Sequence, residues 1–259
     1  YPKHLSLEQC SSEITARYKA RLLQGDSLTD LTGGFGIDCS FLATGFKSAT
    51  YVERQEELCE IAAHNFPVLN LNHINIKNED GVTYLQAMSP VDCLFLDPAR
   101  RNEHGGKTVA ISDCEPNVAE LEELLLQKAN RVMIKLSPML DLSLALKELK
   151  QTQEVHILSV NNECKELLIL LGQTSPAEIS IHCVNLFTKG TQKEQHFVFT
   201  REQEQCSECT YTDSLETYLY EPNASLLKAG AFRSIAAAYP VRKLHPNSHL
   251  YTSDTFIEN

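Results

Sequence analysis

Short apolar runs alternate with stretches of helical periodicity over the first 160 residues of the chain. The apolar runs are four to six residues long, which is typical of buried strands, and they lie at 27–31, 49–53, 74–77, 91–96, 131–136 and 155–160. The helical stretches lie between them, at 37–44, 56–65, 82–88, 118–129 and 142–150, and the second of these is predicted to end before Pro67. Because the runs are mostly apolar, both faces of their sheet must be covered, which predicts parallel strands with helices on both sides.

The alternation ends after residue 160. Three further apolar runs follow with short links, at 164–171, 178–186 and 196–200, which predicts a hairpin or meander that closes the sheet. The pattern leaves open which of these runs pairs with the run at 155–160. We therefore predict an α/β fold with a Rossmann-like sheet of seven strands, mostly parallel, with an antiparallel strand near the end.

A helical pattern also precedes the first strand, at 5–23. Ser6 and Gln9 fit a capping box, and an apolar stripe continues along the helix, with Lys19 predicted to point away from it. The pattern favours a helix that packs against the sheet, and the alternative is a segment that covers a cofactor.

The C-terminal part of the chain has a different pattern. A polar stretch at 202–212 ends the α/β region, and helices are predicted from Asn223 to Gly230 and at 231–239. We predict three parts: an N-terminal helical segment at 1–23, the α/β domain at 24–205, and a small α+β module at 206–259.

Three glycines in four positions follow the first strand, at Gly33, Gly34 and Gly36. A strand, a glycine turn and a helix form a cradle of the kind that binds nucleotides, because backbone without side chains can approach a ligand closely. Asp30 and Thr32 lead into this turn, and we expect them to shape the same pocket.

Acidic residues lie where four of the predicted strands end, at Asp30, Glu53, Asp80 and Asp97. Ligands of open α/β sheets bind at these carboxyl ends. Glu53 follows Gly36 by 17 residues, a spacing at which a carboxylate reaches ribose hydroxyls. Asp80 is predicted to accept a hydrogen bond from an adenine amino group.

Two classes of cofactor fit a ribose-binding acid after a glycine turn. A dinucleotide requires a third glycine, which is absent here, and Asp38 adds negative charge where a pyrophosphate would sit. S-adenosylmethionine has no phosphate and carries cationic groups, which suit the acidic residues. The sequence therefore favours S-adenosylmethionine, with the dinucleotide as the weaker alternative.

Asp97 and Pro98 at the end of the fourth strand complete the pattern. Together with the glycine turn, Glu53 and Asp80, they resemble class I S-adenosylmethionine-dependent methyltransferases over roughly residues 24–200. The segment also resembles the [DN]-P-P-[FYW] motif of enzymes that methylate exocyclic amines, but Ala99 and Arg100 replace the second proline and the aromatic residue. The resemblance implies that Asp97 and the Pro98 carbonyl orient the methyl acceptor and that Arg100, which can stack on a base, faces it.

The segment resembles D-P-P-R of uracil-C5 methyltransferases as well. Those enzymes need a cysteine nucleophile after the fifth strand, where this chain has Ser137 and no thiol. Covalent C5 chemistry is therefore not predicted.

Nearly the whole chain resembles a bacterial family of class I methyltransferases with THUMP-like C-terminal domains, on residues 8–12, 30–36, 97–101, 163–167 and 220–223. The resemblance implies an RNA-modifying enzyme, because THUMP-like modules suggest RNA binding. Members of that family continue beyond the position of Asn259, which implies an incomplete, ferredoxin-like module at the end of this chain.

Composition limits the possible partners. A net charge of −11 argues against bulk nucleic-acid binding but not against a local basic patch. Six basic residues are candidate phosphate contacts, and the alternative is that they are ordinary surface residues. They are Arg100, Arg101, Lys107, Arg242, Lys243 and His245. No apolar run approaches the ~18 residues of a membrane span, so we expect no membrane partner.

Cysteine usage bears on location and on metals. Nine scattered cysteines are typical of a reducing compartment, so we expect a cytoplasmic protein. Cys206 and Cys209 form a lone C-x-x-C, whereas zinc needs about four ligands, so no metal is predicted.

The sequence thus predicts a class I methyltransferase that acts on a tRNA or rRNA base. The alternative from another functional class is a degenerate domain that binds S-adenosylmethionine, or nothing, and serves an RNA-binding partner without catalysis. The altered motif at 97–100 motivates that alternative.

Overall fold

The computed structural model describes residues 10–100, 110–174 and 176–258, and for Arg100 it describes the backbone alone. The chain divides into two compact units. The first runs to Thr152 and includes Ile169–Ser175, and the second contains Gln153–Leu168 and the chain from Pro176 onward.

The first unit has a parallel sheet as its centre. Its strands are β1 (Ser27–Asp30), β2 (Ser48–Glu53), β3 (Ile74–Asn78), β4 (Val91–Leu96) and β7 (Ala129–Leu136). They are hydrogen-bonded in the order β3-β2-β1-β4-β7, each pair parallel. A short antiparallel pair, β5 (Ala99–Arg100) and β6 (Cys114–Glu115), follows β4 in the chain.

Helices connect these strands: α1 (Glu13–Ala20), α2 (Ile37–Leu42), α3 (Glu56–Val68), α4 (Gly81–Ala87), α5 (Val118–Lys128) and α6 (Leu142–Glu148). The apolar residues of the central strands are buried on both faces as predicted, with Leu94, Val132 and Ile134 fully buried, whereas Ile74 and Ile76 of β3 are only partly buried. The predicted parallel α/β sheet is confirmed.

The strand order reverses direction at β1, which lies between β2 and β4 although it precedes both in the chain. Such a switch point leaves a crevice at the carboxyl ends of the neighbouring strands. Asp30, Glu53 and Asp97 lie at the ends of β1, β2 and β4. The fold therefore brings these three acids to the same edge of the sheet.

The second unit contains β10 (Ser180–Leu186), β11 (Glu194–Thr200), β8 (Thr152–Val160) from its second residue onward, and β9 (Glu163–Gly172) as far as Leu168. Asn161 and Asn162 join β8 to β9 with φ values of 49° and 65°, the backbone of a two-residue hairpin turn, so β9 runs antiparallel to β8. β10 pairs in parallel with β8 and antiparallel with β11. Both β9 and β10 therefore flank β8, which answers the pairing question that the sequence leaves open.

The last part of the second unit has a three-stranded antiparallel sheet, in the order β12 (Tyr218–Tyr220), β14 (Tyr251–Ser253), β13 (Arg242–Lys243). Its helices are α7 (Arg201–Cys206), α8 (Ala224–Ala229) and α9 (Phe232–Ala238). Asn223 caps α8 by accepting from Leu226 N at 3.2 Å, and Gly230 ends it with a φ of 73°, as predicted. Among the described residues, no helix has the length and apolar character needed to cross a membrane.

Some expectations are wrong in detail. Within the described residues, nine strands rather than seven are assigned to the large sheet. Helix α3 continues through Pro67 to Val68. Its last turn is closed by a hydrogen bond from Leu69 N to Asn65 O at 3.0 Å, and the buried Phe66 ring packs edge-on against Tyr51.

The first described helix begins at Glu13, not near residue 5, and the predicted Ser6–Gln9 capping box lies outside the described residues. Lys19 was predicted to point away from the packed face of this helix, and that prediction is wrong. Its side chain is fully buried, because a buried carboxylate pairs with it.

Candidate active site

The glycine turn (residues 33–36) packs tightly on the aromatic side chains beneath it. A Cβ on Gly33 would lie 2.2 Å from the ring of Tyr51, and one on Gly36 would lie 2.9 Å from the ring of Phe66. Gly34 and Gly36 also have positive φ values, of 52° and 75°. The hydroxyl of Tyr51 donates to the carbonyl of Gly34. These contacts give Gly33 and Gly36 a packing reason that the sequence argument, which considered only approach to a ligand, missed.

Glu53 accepts a hydrogen bond directly from the backbone of the glycine turn. Its Oε2 accepts from Gly34 N at 2.9 Å, and its Oε1 accepts from Gln55 N at 2.9 Å. The side chain is held in one position at the carboxyl end of β2 and remains 8% exposed. A carboxylate has about four acceptor positions, and these two bonds use two of them, so Glu53 is oriented and still able to accept from hydroxyl groups.

Asp30 is fully buried at the end of β1. Its Oδ1 accepts from Thr32 N at 3.0 Å, and within the described part of the chain its Oδ2 has no hydrogen-bond partner. Burial raises the pKa of the Asp30 carboxyl to about 8. Asp30 thus lies beneath the start of the glycine turn, in surroundings that favour its protonated form.

Asp80 lies after β3, as predicted, and serves as the N-cap of α4. Its Oδ1 accepts from Val82 N at 3.1 Å and from Thr83 N at 3.0 Å. The residue is exposed, so the capping bonds leave it accessible to a ligand.

Asp97 connects the end of β4 to two other parts of the unit. Its backbone N donates to Thr32 Oγ1 at 2.6 Å, and its Oδ2 accepts from Lys135 Nζ at 2.5 Å. Burial raises the pKa of the Asp97 carboxyl, and the Lys135 ammonium opposes that rise. Pro98 is buried and Ala99 exposed, while the Arg100 backbone pairs with Cys114 in the β5–β6 ladder.

A network of charged side chains behind the glycine turn joins α1, α2 and β7. This network was not predicted from the sequence. The Asp38 carboxylate lies 3.0 Å from Lys19 Nζ and 3.4 Å from Lys135 Nζ, and it accepts from Ser11 Oγ at 2.7 Å. Lys19 is fully buried and also donates to Ser11 Oγ at 2.8 Å.

The pairing of Asp38 changes one sequence argument. Burial raises the pKa of its carboxyl, but Lys19 and Lys135 outweigh that effect and bring the pKa below its usual value. Two lysines therefore balance the negative charge of Asp38. Contrary to the expectation from the sequence, this residue does not disfavour a pyrophosphate. Cys39 occupies the position of the third fingerprint glycine, so that part of the argument is unaffected.

Two of the candidate phosphate contacts in the second unit have partners within the protein. Lys243 is buried and donates to the carbonyls of His245 and Pro246, at 3.2 and 2.6 Å, and Arg242 pairs with Glu216. The prediction that Lys243 contacts phosphate is therefore wrong. Arg101 and Lys107 lie outside the described residues, as does the side chain of Arg100.

A family model described as a ferredoxin-like domain matches residues 218–259, which contain the three-stranded sheet; it is not a THUMP-like model. None of the curated proteins matches this sequence.

Several solved structures are similar to the chain. A "putative methyltransferase" from Porphyromonas gingivalis W83 is 38% identical, with a TM-score of 0.89, over 100% of this chain and 65% of that chain. A modification subunit of a "putative type I restriction enzyme" from Vibrio vulnificus YJ016 is 11% identical, with a TM-score of 0.52, over 79% of this chain and 57% of that chain. An O-methyltransferase from Bacillus cereus in complex with SAH is 13% identical, with a TM-score of 0.49, over 66% of this chain and 92% of that chain.

The similarity to the Porphyromonas protein and the strand order agree on the fold. The chain spans 65% of the length of that protein, and the match covers 100% of this chain. The chain therefore has the Rossmann-like fold of the S-adenosylmethionine-dependent methyltransferases, as predicted from the sequence.

Proposed function

We propose that this protein is an S-adenosylmethionine-dependent methyltransferase that acts on a base of RNA. The observation that carries the proposal is the position of Glu53. Two backbone amides, of Gly34 and Gln55, hold its carboxylate beside the glycine turn at 2.9 Å each. A fixed carboxylate with spare acceptor positions suits the two hydroxyl groups of a ribose.

The residues at this edge of the sheet fit the rest of the cofactor. Asp80 would accept from the adenine amino group, and Asp30 and Thr32 would hold the turn in shape. The residues proposed to bind the cofactor are Asp30, Thr32, Gly33, Gly34, Gly36, Glu53, Asp80 and Asp97. S-adenosylmethionine, when bound, supplies an activated methyl group on its sulfonium.

Asp97 and Pro98 would orient the acceptor base, with Arg100 facing it. Lys135 fixes the direction of the Asp97 carboxylate by its contact at 2.5 Å, so this acid is held at the carboxyl end of β4. The contribution of these residues to the rate would be alignment and proximity of the two reactants.

RNA as the substrate is supported by the resemblance to methyltransferases with THUMP-like domains. The ferredoxin-like match at 218–259 supports a separate small module after the α/β region, and the similar Porphyromonas protein is described as a methyltransferase. The nine cysteines scattered through the sequence support the proposal of a cytoplasmic enzyme.

Two measurements test the proposal. Calorimetry with S-adenosylmethionine and its demethylated product should give one site per chain, and an absence of binding overturns the cofactor assignment. Tritiated methyl transfer to RNA from cells that lack the gene should give incorporation, with RNA from cells that carry it as the control. Binding without transfer to RNA contradicts the proposed activity and supports the non-catalytic scaffold.

A further inference from the structure

A histidine cluster lies on the strands of the second unit. Glu154 and His156 are two residues apart on β8, so their side chains lie on the same face of the sheet. His182 of β10 is the direct parallel partner of His156. His196 of β11 is the partner of Val184, which places it on the same face as His182, one pair further along.

The side chains in this cluster are close to one another. His156 Nε2 lies 3.3 Å from Glu154 Oε2, and His182 Nδ1 lies 3.0 Å from His196 Nε2. The rings of His156 and His182 are stacked, with centroids 4.3 Å apart. One nitrogen or oxygen atom from each of Glu154, His156 and His182 lies within 4.8 Å of the other two.

The four side chains of the cluster differ in their exposure to solvent. His156 is 2% exposed, the Glu154 side chain is 32% exposed, His182 is half-buried and His196 is exposed. An ion could reach the cluster from solvent and still contact a well-shielded imidazole.

We propose that Glu154, His156 and His182 bind one divalent transition-metal ion of the Zn²⁺ type, and that His196 orients the ring of His182. Imidazole and carboxylate are ligands that Zn²⁺ accepts, and a set rich in imidazole disfavours Mg²⁺. The contact of His182 Nδ1 with His196 assigns Nε2 of His182 as the ligand atom, since a ligating histidine commonly uses its other nitrogen for such a bond.

Binding requires the ligand atoms to move toward one another. Ligands at ~2.1 Å from one ion in a tetrahedral arrangement lie ~3.4 Å apart, so atoms that now lie within 4.8 Å of one another must close by up to about 1.4 Å. The stacked rings of His156 and His182 must also turn about χ2, which is a soft torsion for histidine. An ion would join β8 to β10, and it concerns the second unit alone, so this inference is independent of the proposed methyl transfer.

The test is calorimetry with ZnCl₂ on the full, untagged chain after removal of bound metal with a chelator. We expect one ion per chain, a clear preference for Zn²⁺ over Mg²⁺, and a higher unfolding temperature with Zn²⁺ because the ion binds the folded state. No binding, or no preference over Mg²⁺, overturns the proposal.

Variants identify the ligands. His182→Gln and Glu154→Gln should abolish the tight site, and His196→Gln should weaken it by about 10–100-fold, the usual cost of losing an outer partner. His64→Gln, at an exposed histidine of α3, is the matched control and should leave binding unchanged. Far-ultraviolet circular dichroism without metal establishes that each variant is folded.

The C-x-x-C pair, with Cys206 exposed and Cys209 partly buried, is the competing site. A Cys206→Ser/Cys209→Ser double variant should retain the site if the histidines hold it. Loss of binding in this variant, or full binding in both His182→Gln and Glu154→Gln, assigns the ion elsewhere and overturns the proposal.

Discussion

Nζ of Lys135 lies 2.5 Å from Oδ2 of Asp97, so the acid that ends β4 is paired with a lysine from the neighbouring strand β7. The same ammonium lies 3.4 Å from Asp38 in the first turn of α2. One lysine therefore connects the proposed acceptor side of the site to the charge network behind the glycine turn.

Replacing Lys135 tests this connection. Lys135→Met should lower the free energy of unfolding by about 2 kcal/mol, below the ~3–5 kcal/mol typical of breaking a fully buried pair. The reduction is expected because the Asp97 side chain is 38% exposed and Asp38 keeps its contact with Lys19. Urea denaturation at neutral pH measures the difference.

Lys47→Met is the control for that variant. Lys47 pairs with Asp26 at 2.9 Å, but the two side chains are 79% and 69% exposed, so its loss should cost less than ~1 kcal/mol. Equal losses in the two variants would show that Lys135 is no more than a surface charge.

The sheet was predictable because its strands are buried on both faces. The apolar runs at 91–96 and 131–136 correspond to β4 and β7 within two residues, since apolar positions dominate both runs and only Asp92, Arg131 and Lys135 interrupt them. The end of α3 was less predictable: a proline normally stops a helix, but burial of Phe66 holds the last turn. The pairing of β9 with β8 depends on the turn at 161–162, and the apolar pattern alone does not predict that turn.

The acids of the site were predictable because each follows an apolar run. Their partners were not, because Asp97 and Lys135 are 38 residues apart in the chain, and Asp38, which shares that lysine, is 97 residues from it. Lysine is usually exposed, so Lys19 was placed on the solvent side of its helix. A lone charge among buried residues, as at Lys135 between Ile134 and Leu136, is the signal that could have revealed the network.

Glu53 provides the sharpest test of the cofactor site. Glu53→Gln should weaken binding of S-adenosylmethionine by ~10-fold or more, because a hydrogen bond to a charged group contributes about 1.5–3 kcal/mol. Glu56→Gln, at an exposed acid in the first turn of α3, is the matched control and should bind normally. Calorimetry gives both affinities, and an unchanged affinity in Glu53→Gln would remove Glu53 from the site.

Gly33 should tolerate no side chain. Gly33→Ala places a Cβ within 2.2–2.6 Å of the Tyr51 ring and should reduce the free energy of unfolding by about 1–3 kcal/mol. Gly45→Ala is the control, because a Cβ there meets nothing within 4 Å, and its effect should stay within ~0.5 kcal/mol. Chemical denaturation compares the two, and a neutral Gly33→Ala would mean that the turn does not pack on Tyr51 as described.

The raised pKa of Asp30 makes a prediction about pH. Burial raises this pKa from 3.8 to about 8, so between those values the folded state holds a proton that the unfolded state has lost. The contribution of Asp30 to stability is therefore present below about pH 4, falls as the pH rises toward about 8, and is constant above that.

Asp30→Asn isolates this effect from the other titrating groups. The amide oxygen can still accept from Thr32 N, but the side chain no longer ionises. The free energy of unfolding of the variant, relative to the unmodified protein, should rise steadily between pH 5 and pH 8 in urea titrations. Asp26→Asn, at an exposed acid, should show no such rise. A constant difference for Asp30→Asn across this range would mean that the Asp30 carboxyl is ionised in the fold, and that a positive group compensates its burial.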